Sequence, residues 1–154
     1  MRLSRASAYA LSAVLQLADA PPRVPVPCSQ LSKQGHMPER FLLHILRQLV
    51  THKMLDSTRG VDGGYTLARS LDEISLLQIL EAADGPQLPV IPPLDAVPES
   101  SRTKLLEILR QATAAENKLL DSVKLSSLYT PRPRNVLEET GGRGGQWSVV
   151  SRKS

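Results

Sequence analysis

The chain has 154 residues, 41% of them hydrophobic, and a formal net charge of +4, which suits one compact domain or a small domain with an appendage. No run approaches about 18 consecutive apolar residues, which argues against a membrane-spanning helix. The one cysteine, Cys28, excludes an intramolecular disulfide and agrees with a reducing compartment.

The charge is unevenly spread. Residues 1–70 hold nine Lys/Arg against four Asp/Glu, residues 71–130 five against nine, and residues 131–154 five against two. A basic front, an acidic middle and a basic tail turn the front toward a polyanion, with a merely solvated surface as the plain alternative.

In chain order, MRLSRASAYALSAVLQLADA has the basic start and apolar run of a secretory signal. Its apolar residues are interrupted at Ser12, Gln16 and Asp19 in a helical rhythm, and the following PPRVPVP is a poor cleavage context. It reads as a structural helix of a cytoplasmic protein, from an N-cap at Ser4 to about Ala18, with Ala10, Ala13, Val14 and Leu17 as its stripe. Residues 21–27 are expected to be extended, because proline disfavours helix at the residue before it. A short helix over about 28–34 should be stopped by Gly35 as its C′ residue. Pro38 then opens a third helix reaching about Lys53, with Phe41, Leu42, Ile45, Leu46 and Leu49 inward and Arg40, His44, Arg47, Gln48 and Thr51 outward.

Short helix, turn and longer helix make a helix-turn-helix pattern, weak by itself. MLDSTR and YTLAR alternate like strands around GVDGG, so a two-stranded hairpin, or wing, follows. A phosphate-cradling loop would need its glycines to open a helix, and here a strand comes next. The glycines are therefore expected to supply positive-φ turn positions and a thin tip. Arg59, at the end of the first wing strand, is placed to enter a minor groove; the alternative is a surface pair with Asp56 or Asp62.

Ser75 and Gln78 form a capping box for a helix with Leu76, Ile79, Leu80 and Ala83 on its apolar face, ended by Gly85. GPQLPVIPPLDAVP is a Pro-rich connector over residues 85–98. A long helix is expected from Glu99 to about Ser127, with Leu105, Ile108, Ala112, Ala115 and Leu119 recurring at helical spacing and Val123 one step late. Such a helix needs an apolar partner, most simply its own copy in a homodimer; the alternative is that it folds back on its own domain. The division is thus 1–84 winged helix-turn-helix, 85–98 connector, 99–128 dimerisation helix and 129–154 basic tail, expected to be disordered. In that tail, GGRGG with Trp147 is a weak nucleic-acid signal. The fold class is mainly α with a small β-wing.

These residues resemble the Rrf-two family of bacterial transcription factors, which takes in iron–sulfur, nitric-oxide and cysteine-metabolism regulators. MRLSRASAYALSAVLQLA, FLLHILRQL, STRGVDGGYTLAR and DEISLLQILEAADG carry the resemblance, closely over about residues 1–86. It implies a homodimeric winged-helix protein on double-stranded DNA, with the helix over 38–53 in the major groove, Arg59 in the minor groove and the long helices crossing between subunits. Arg2, Arg5, Arg40 and Arg59 are then candidates for phosphate contact. Glu39, Arg40, Leu43 and His44 are candidates for base reading, and Gly60, Gly63, Gly64 and Tyr65 complete the wing.

Cluster-binding members of that family hold [2Fe–2S] with three cysteines before the dimer helix. The corresponding loop here has none, so no cofactor is expected. Cys28 begins the short helix, where backbone N–H groups lower a thiol pKa, yet a buried structural role fits it better. His36, His44 and His52 recur every eight residues, a poor spacing for a metal site, and none is expected. No paired carboxylates or Ser-His-Asp set suggests an enzyme. The reading is a cytoplasmic repressor on a palindromic operator. Its alternatives are a regulator gated by a small molecule near residues 85–98 and a winged-helix protein-interaction module that no longer binds DNA, either of which would add a small-molecule or protein effector.

Overall fold

The computed structural model describes residues 3–89, 91 and 93–132. Three helices, α1 (Arg5–Asp19), α2 (Cys28–Gly35) and α3 (Glu39–Thr51), lead into a hairpin of β1 (Leu55–Thr58) and β2 (Gly64–Leu67), followed by α4 (Leu76–Asp84) and α5 (Glu99–Ser122). A short 3-10 turn, Leu125–Ser127, comes after α5.

Ser4 caps α1 as expected, its side chain accepting from the Ser7 amide at 3.0 Å. The stripe of Ala10, Ala13, Val14 and Leu17 is buried against α3 and α4. The carboxylate of Asp84, at the end of α4, accepts from the hydroxyls of Ser4 at 2.7 Å and Ser7 at 2.5 Å. An acidic group at the positive end of α1 is stabilising there.

Residues 21–27 are not extended throughout. The chain turns at Pro22 and Arg23, where Arg23 takes φ 64°. Neither of those two residues precedes a proline, so neither carries the restriction that keeps Val24 and Val26 out of helix. Val26 then pairs with Tyr65 as an isolated antiparallel bridge.

The stop of α2 also differs. His36, not Gly35, takes the left-handed conformation (φ 51°, ψ 42°), while Gly35 stays in the last turn, where a side chain would strike Met37 and Gln16. Pro38 is the N-cap of α3 rather than its first residue, and α3 ends at Thr51. Leu42, Ile45, Leu46 and Leu49 are buried, but Phe41 is 42% exposed. At about 100° per residue, Phe41 lies about 90° from the centre of the buried face, at its margin. There it meets Tyr9 edge to face, with centroids 5.9 Å apart.

The hairpin is antiparallel, with Leu55 opposite Leu67 and Thr58 opposite Gly64. At its tip only Gly60 (φ 112°) uses a turn conformation that side chains disfavour; Gly63 does not, and is needed because a side chain would meet the Thr58 carbonyl. The capping box of Ser75 and Gln78 opens α4. Its buried face is Ile79, Leu80 and Ala82, with Leu76 and Ala83 half-buried.

The long helix stops at Ser122, short of Ser127. No breaker residue ends it: the chain is captured by α4. The Val123 carbonyl accepts from the Leu76 amide at 2.9 Å, Ser75 donates to the Asp121 carboxylate at 2.7 Å, and Leu125 is wholly buried in the core. Val123 is therefore not on the α5 stripe. Residues 129–132, expected as the start of a disordered tail, lie against α1, with the Tyr129 hydroxyl donating to Asp19 at 2.7 Å and Arg132 pairing with the same carboxylate at 3.8 Å. Residues 133–154 are outside the described residues, as is Arg2.

Candidate nucleic-acid interface

Two basic elements sit on one side of this core. Along α3, Arg40, His44, Arg47 and Thr51 recur at intervals of three and four, which places them within about 60° on one face. All four are exposed. Glu39 is exposed at the start of the helix, and Leu43 is half-buried at the edge of the face. The second element is the wing, where Arg59 and Gly60 are exposed and Gly63, Gly64 and Tyr65 are half-buried. Arg5 is exposed in the first turn of α1.

The wing is fixed from behind. Val26 and Tyr65 exchange backbone hydrogen bonds of 3.0 and 2.9 Å. A side chain on Gly64 would come within 2.5 Å of the Val26 carbonyl, so that strand must carry glycine where it passes the α1–α2 linker. The wing and α3 form the walls of a crevice lined by Arg47, Thr51, Ser57, Arg59 and Tyr65. Burial pushes the Tyr65 phenol above its ordinary pKa and Cys28 adds to the rise, while the neighbouring Arg47 pulls it down.

Electrostatically, these arginines are available. Among the described residues, ion pairs join Arg102 to Glu99 and Arg132 to Asp19, and neither Arg5, Arg40, Arg47 nor Arg59 is engaged in one. The alternative for Arg59, a pair with Asp56 or Asp62, is not formed. Sequence reasoning left Arg47 out of the site although it placed it on the outer face of α3. Its spacing of seven from Arg40, two turns along, was the signal that pointed to it.

The expected dimerisation residues divide. Leu105, Ile108, Ala112, Ala115 and Leu119 form an exposed stripe on α5, with Ile108 61% and Leu119 66% exposed. Leu106, Leu109, Thr113 and Leu120 lie about 100° around the helix and are half-buried on the side of α4 and the connector. Asn117 there donates to the Gln87 carbonyl at 3.2 Å. One face thus folds back on its own domain, while the other stays open. Val123 is half-buried beyond the helix end.

Comparison with known proteins agrees with this architecture. A family described as Rrf2, iron-dependent transcriptional regulator, matches residues 3–131. Rv1287, named as an HTH-type transcriptional regulator of Mycobacterium tuberculosis, is 35% identical over 130 residues, covering 83% of this chain and 81% of its own. Among solved structures, CymR, the global cysteine regulator of B. subtilis, superposes with a TM-score of 0.64 at 25% identity, over 83% of this chain and 95% of its own. IscR of T. potens gives 0.61 at 21% identity, over 94% of each chain.

The iron in the family's description does not fit the donors present. A [2Fe–2S] centre needs four ligands, and even where two histidines serve, the other two are thiolates. This chain has one thiol. Cys28 is half-buried in the first turn of α2, its Sγ 3.8 Å from the Glu39 carbonyl, and among the described residues no three His, Cys, Asp or Glu side chains converge as metal ligands. With its winged helix, its basic face and a match running from Leu3 to Pro131, the chain belongs to the Rrf2 family of DNA-binding transcriptional regulators, which are not enzymes.

Proposed function

We propose that the chain acts as a homodimeric repressor on a palindromic operator, without an iron–sulfur cluster. The observation that carries this reading is the set of arginines on one side of the molecule, Arg40 and Arg47 on α3 and Arg59 on the wing, none held in an ion pair among the described residues. Cations in that state are free to replace condensed counterions along a duplex. In this reading α3 enters the major groove, where Arg40, Leu43 and His44 read base edges and Glu39 flanks them, and Arg5 and Arg2 meet phosphates. Arg59 and the Gly60–Gly64 tip lie over the minor groove, with Tyr65 as their anchor.

The open stripe Leu105–Leu119 supports the dimer, since an apolar helix face in water is stabilised by covering it. Two copies on a two-fold axis present two α3 helices and so require a two-fold operator. Repression needs nothing beyond occupancy of that operator in the cytoplasm. The decisive experiment selects duplexes from a random pool with the full-length protein, then compares Arg59→Ala with wild type on the winner. The variant should lose about 1.5–3 kcal/mol for each engaged chain and keep the mass of a dimer. Unaltered affinity would remove the wing from the interaction.

A second reading, a regulator gated by a small molecule, is favoured by a cavity of about 300 Å³ where the connector begins, lined by His52, Met54, Gln78, Glu81 and Pro86. Native mass spectrometry of the purified protein distinguishes it, because a bound molecule would add a fixed mass to each chain.

A further inference from the structure

Two clefts flank the wing, and their charges differ. The one facing away from α3 is lined by Arg23 and Arg69 but also by Asp56 and Glu73, so it is neutral. The crevice between the wing and α3 has a volume of about 670 Å³, and Arg47 and Arg59 line it without any carboxylate. Ser57 is also exposed on its wall, and among the described residues its hydroxyl forms no hydrogen bond, whereas Thr58, the next residue of the strand, turns toward the other cleft, which it also lines. The Thr51 hydroxyl is committed, donating to the Arg47 carbonyl at 3.0 Å.

We infer that this crevice is a phosphodiester site: one strand of the duplex passes through it, gripped by Arg47 from the helix side and by Arg59 and Ser57 from the wing side. The inference rests on the DNA-binding reading above and adds to it a site and a residue. A helix in the major groove and a wing in the adjacent minor groove leave between them the sugar–phosphate strand that divides the two grooves. Arg47 lies about 10 Å along α3 from Arg40, too far to share its base edges. Two arginines lining one crevice that no carboxylate lines, beside the free hydroxyl of Ser57, match a phosphate and repel a cation. Contacts of this kind fix register and carry no sequence information. Arg47 therefore sets affinity and salt dependence, while the choice of operator lies with other residues.

The test uses the full-length protein, a selected duplex and a random one, titrated over a range of salt concentrations. Arg47→Ala should weaken binding to both duplexes about tenfold for each engaged chain, leaving their ratio unchanged. The slope of log affinity against log salt should become shallower by about 1 per chain, and Arg47→Lys should restore most of it. A neutral methylphosphonate placed in turn at each position of the strand should find one position that lowers wild-type affinity to the level of Arg47→Ala and leaves that variant unaffected. An unchanged salt slope, or a loss confined to the selected duplex, would overturn the phosphodiester site while Arg59→Ala still reported DNA binding. Wild type binding neither duplex would remove the underlying reading as well.

Discussion

Val26 and Tyr65, thirty-nine positions apart in sequence, form a two-way backbone pair with N–H···O distances of 3.0 and 2.9 Å. This bridge adds the α1–α2 linker to the two-stranded wing as a one-residue third strand. A lone hairpin is marginal in water, so the added pair and the packing of Tyr65 and Leu67 on the core hold the wing at a fixed angle to α3.

The bridge makes Gly64 sensitive. In Gly64→Ala the new methyl group meets the Val26 carbonyl carbon and oxygen at 2.5 Å, and both belong to backbone that cannot swing aside. We expect a loss of about 1–3 kcal/mol in denaturant unfolding, with faster hydrogen exchange at the Tyr65 amide. Normal stability with a protected Tyr65 amide would mean that the linker moves freely.

Asp84 joins the two ends of the helical core. Its removal in Asp84→Ala leaves the fully buried Ser7 hydroxyl without an acceptor and takes a negative charge from the start of α1. The expected cost is about 1–3 kcal/mol by chemical denaturation, and Asp84→Asn, which still accepts a hydrogen bond, should lose less.

Ile108 tests the dimer. It is 61% exposed on the open stripe of α5, so Ile108→Lys should leave the helical circular-dichroism signal intact. In light scattering the solution mass should fall from two chains to one. A dimer that survives this change would be built on some other surface.

Cys28 tests the missing cluster. Burial, followed by the neighbouring Glu39 carboxylate, raises its thiol pKa. The thiolate is therefore scarce at neutral pH, and alkylation should be slower than for a free cysteine peptide, with its rise displaced to higher pH. After anaerobic incubation with iron and sulfide the protein should stay colourless. A visible charge-transfer band would show that other ligands complete a site around this thiol.

Local signals in the sequence foretold most of the fold. The Ser4 cap, the Ser75–Gln78 box, the hairpin and the α3 stripe each depend on residues a few positions apart, and each formed where the pattern placed it, except that Phe41 stays at the margin of the stripe and only Gly60 takes the positive-φ turn role. The departures arise where distant segments meet. The end of α5 depends on the N-terminus of α4, which no helical periodicity reveals, and the "late" Val123 was the one residue out of step. Glycine was expected to end α2, but Gly35 stays inside the helix and His36 takes the left-handed cap. Of the candidate site, the arginines were legible as outward positions. The shared crevice that brings Arg47 beside Tyr65 was not, because it is made by packing the wing against α3.

Leu125 carries a last consequence. Fully buried in the one core cluster that also holds residues of α1, α3 and α4, it is a plug delivered from beyond the long helix into the body that would grip DNA. Cutting the chain after α4 to obtain a minimal reader would pull that plug and leave an apolar socket open to water. The severed fragment should clump or melt early, and a short peptide spanning residues 121–129, added back in trans, should reseal it.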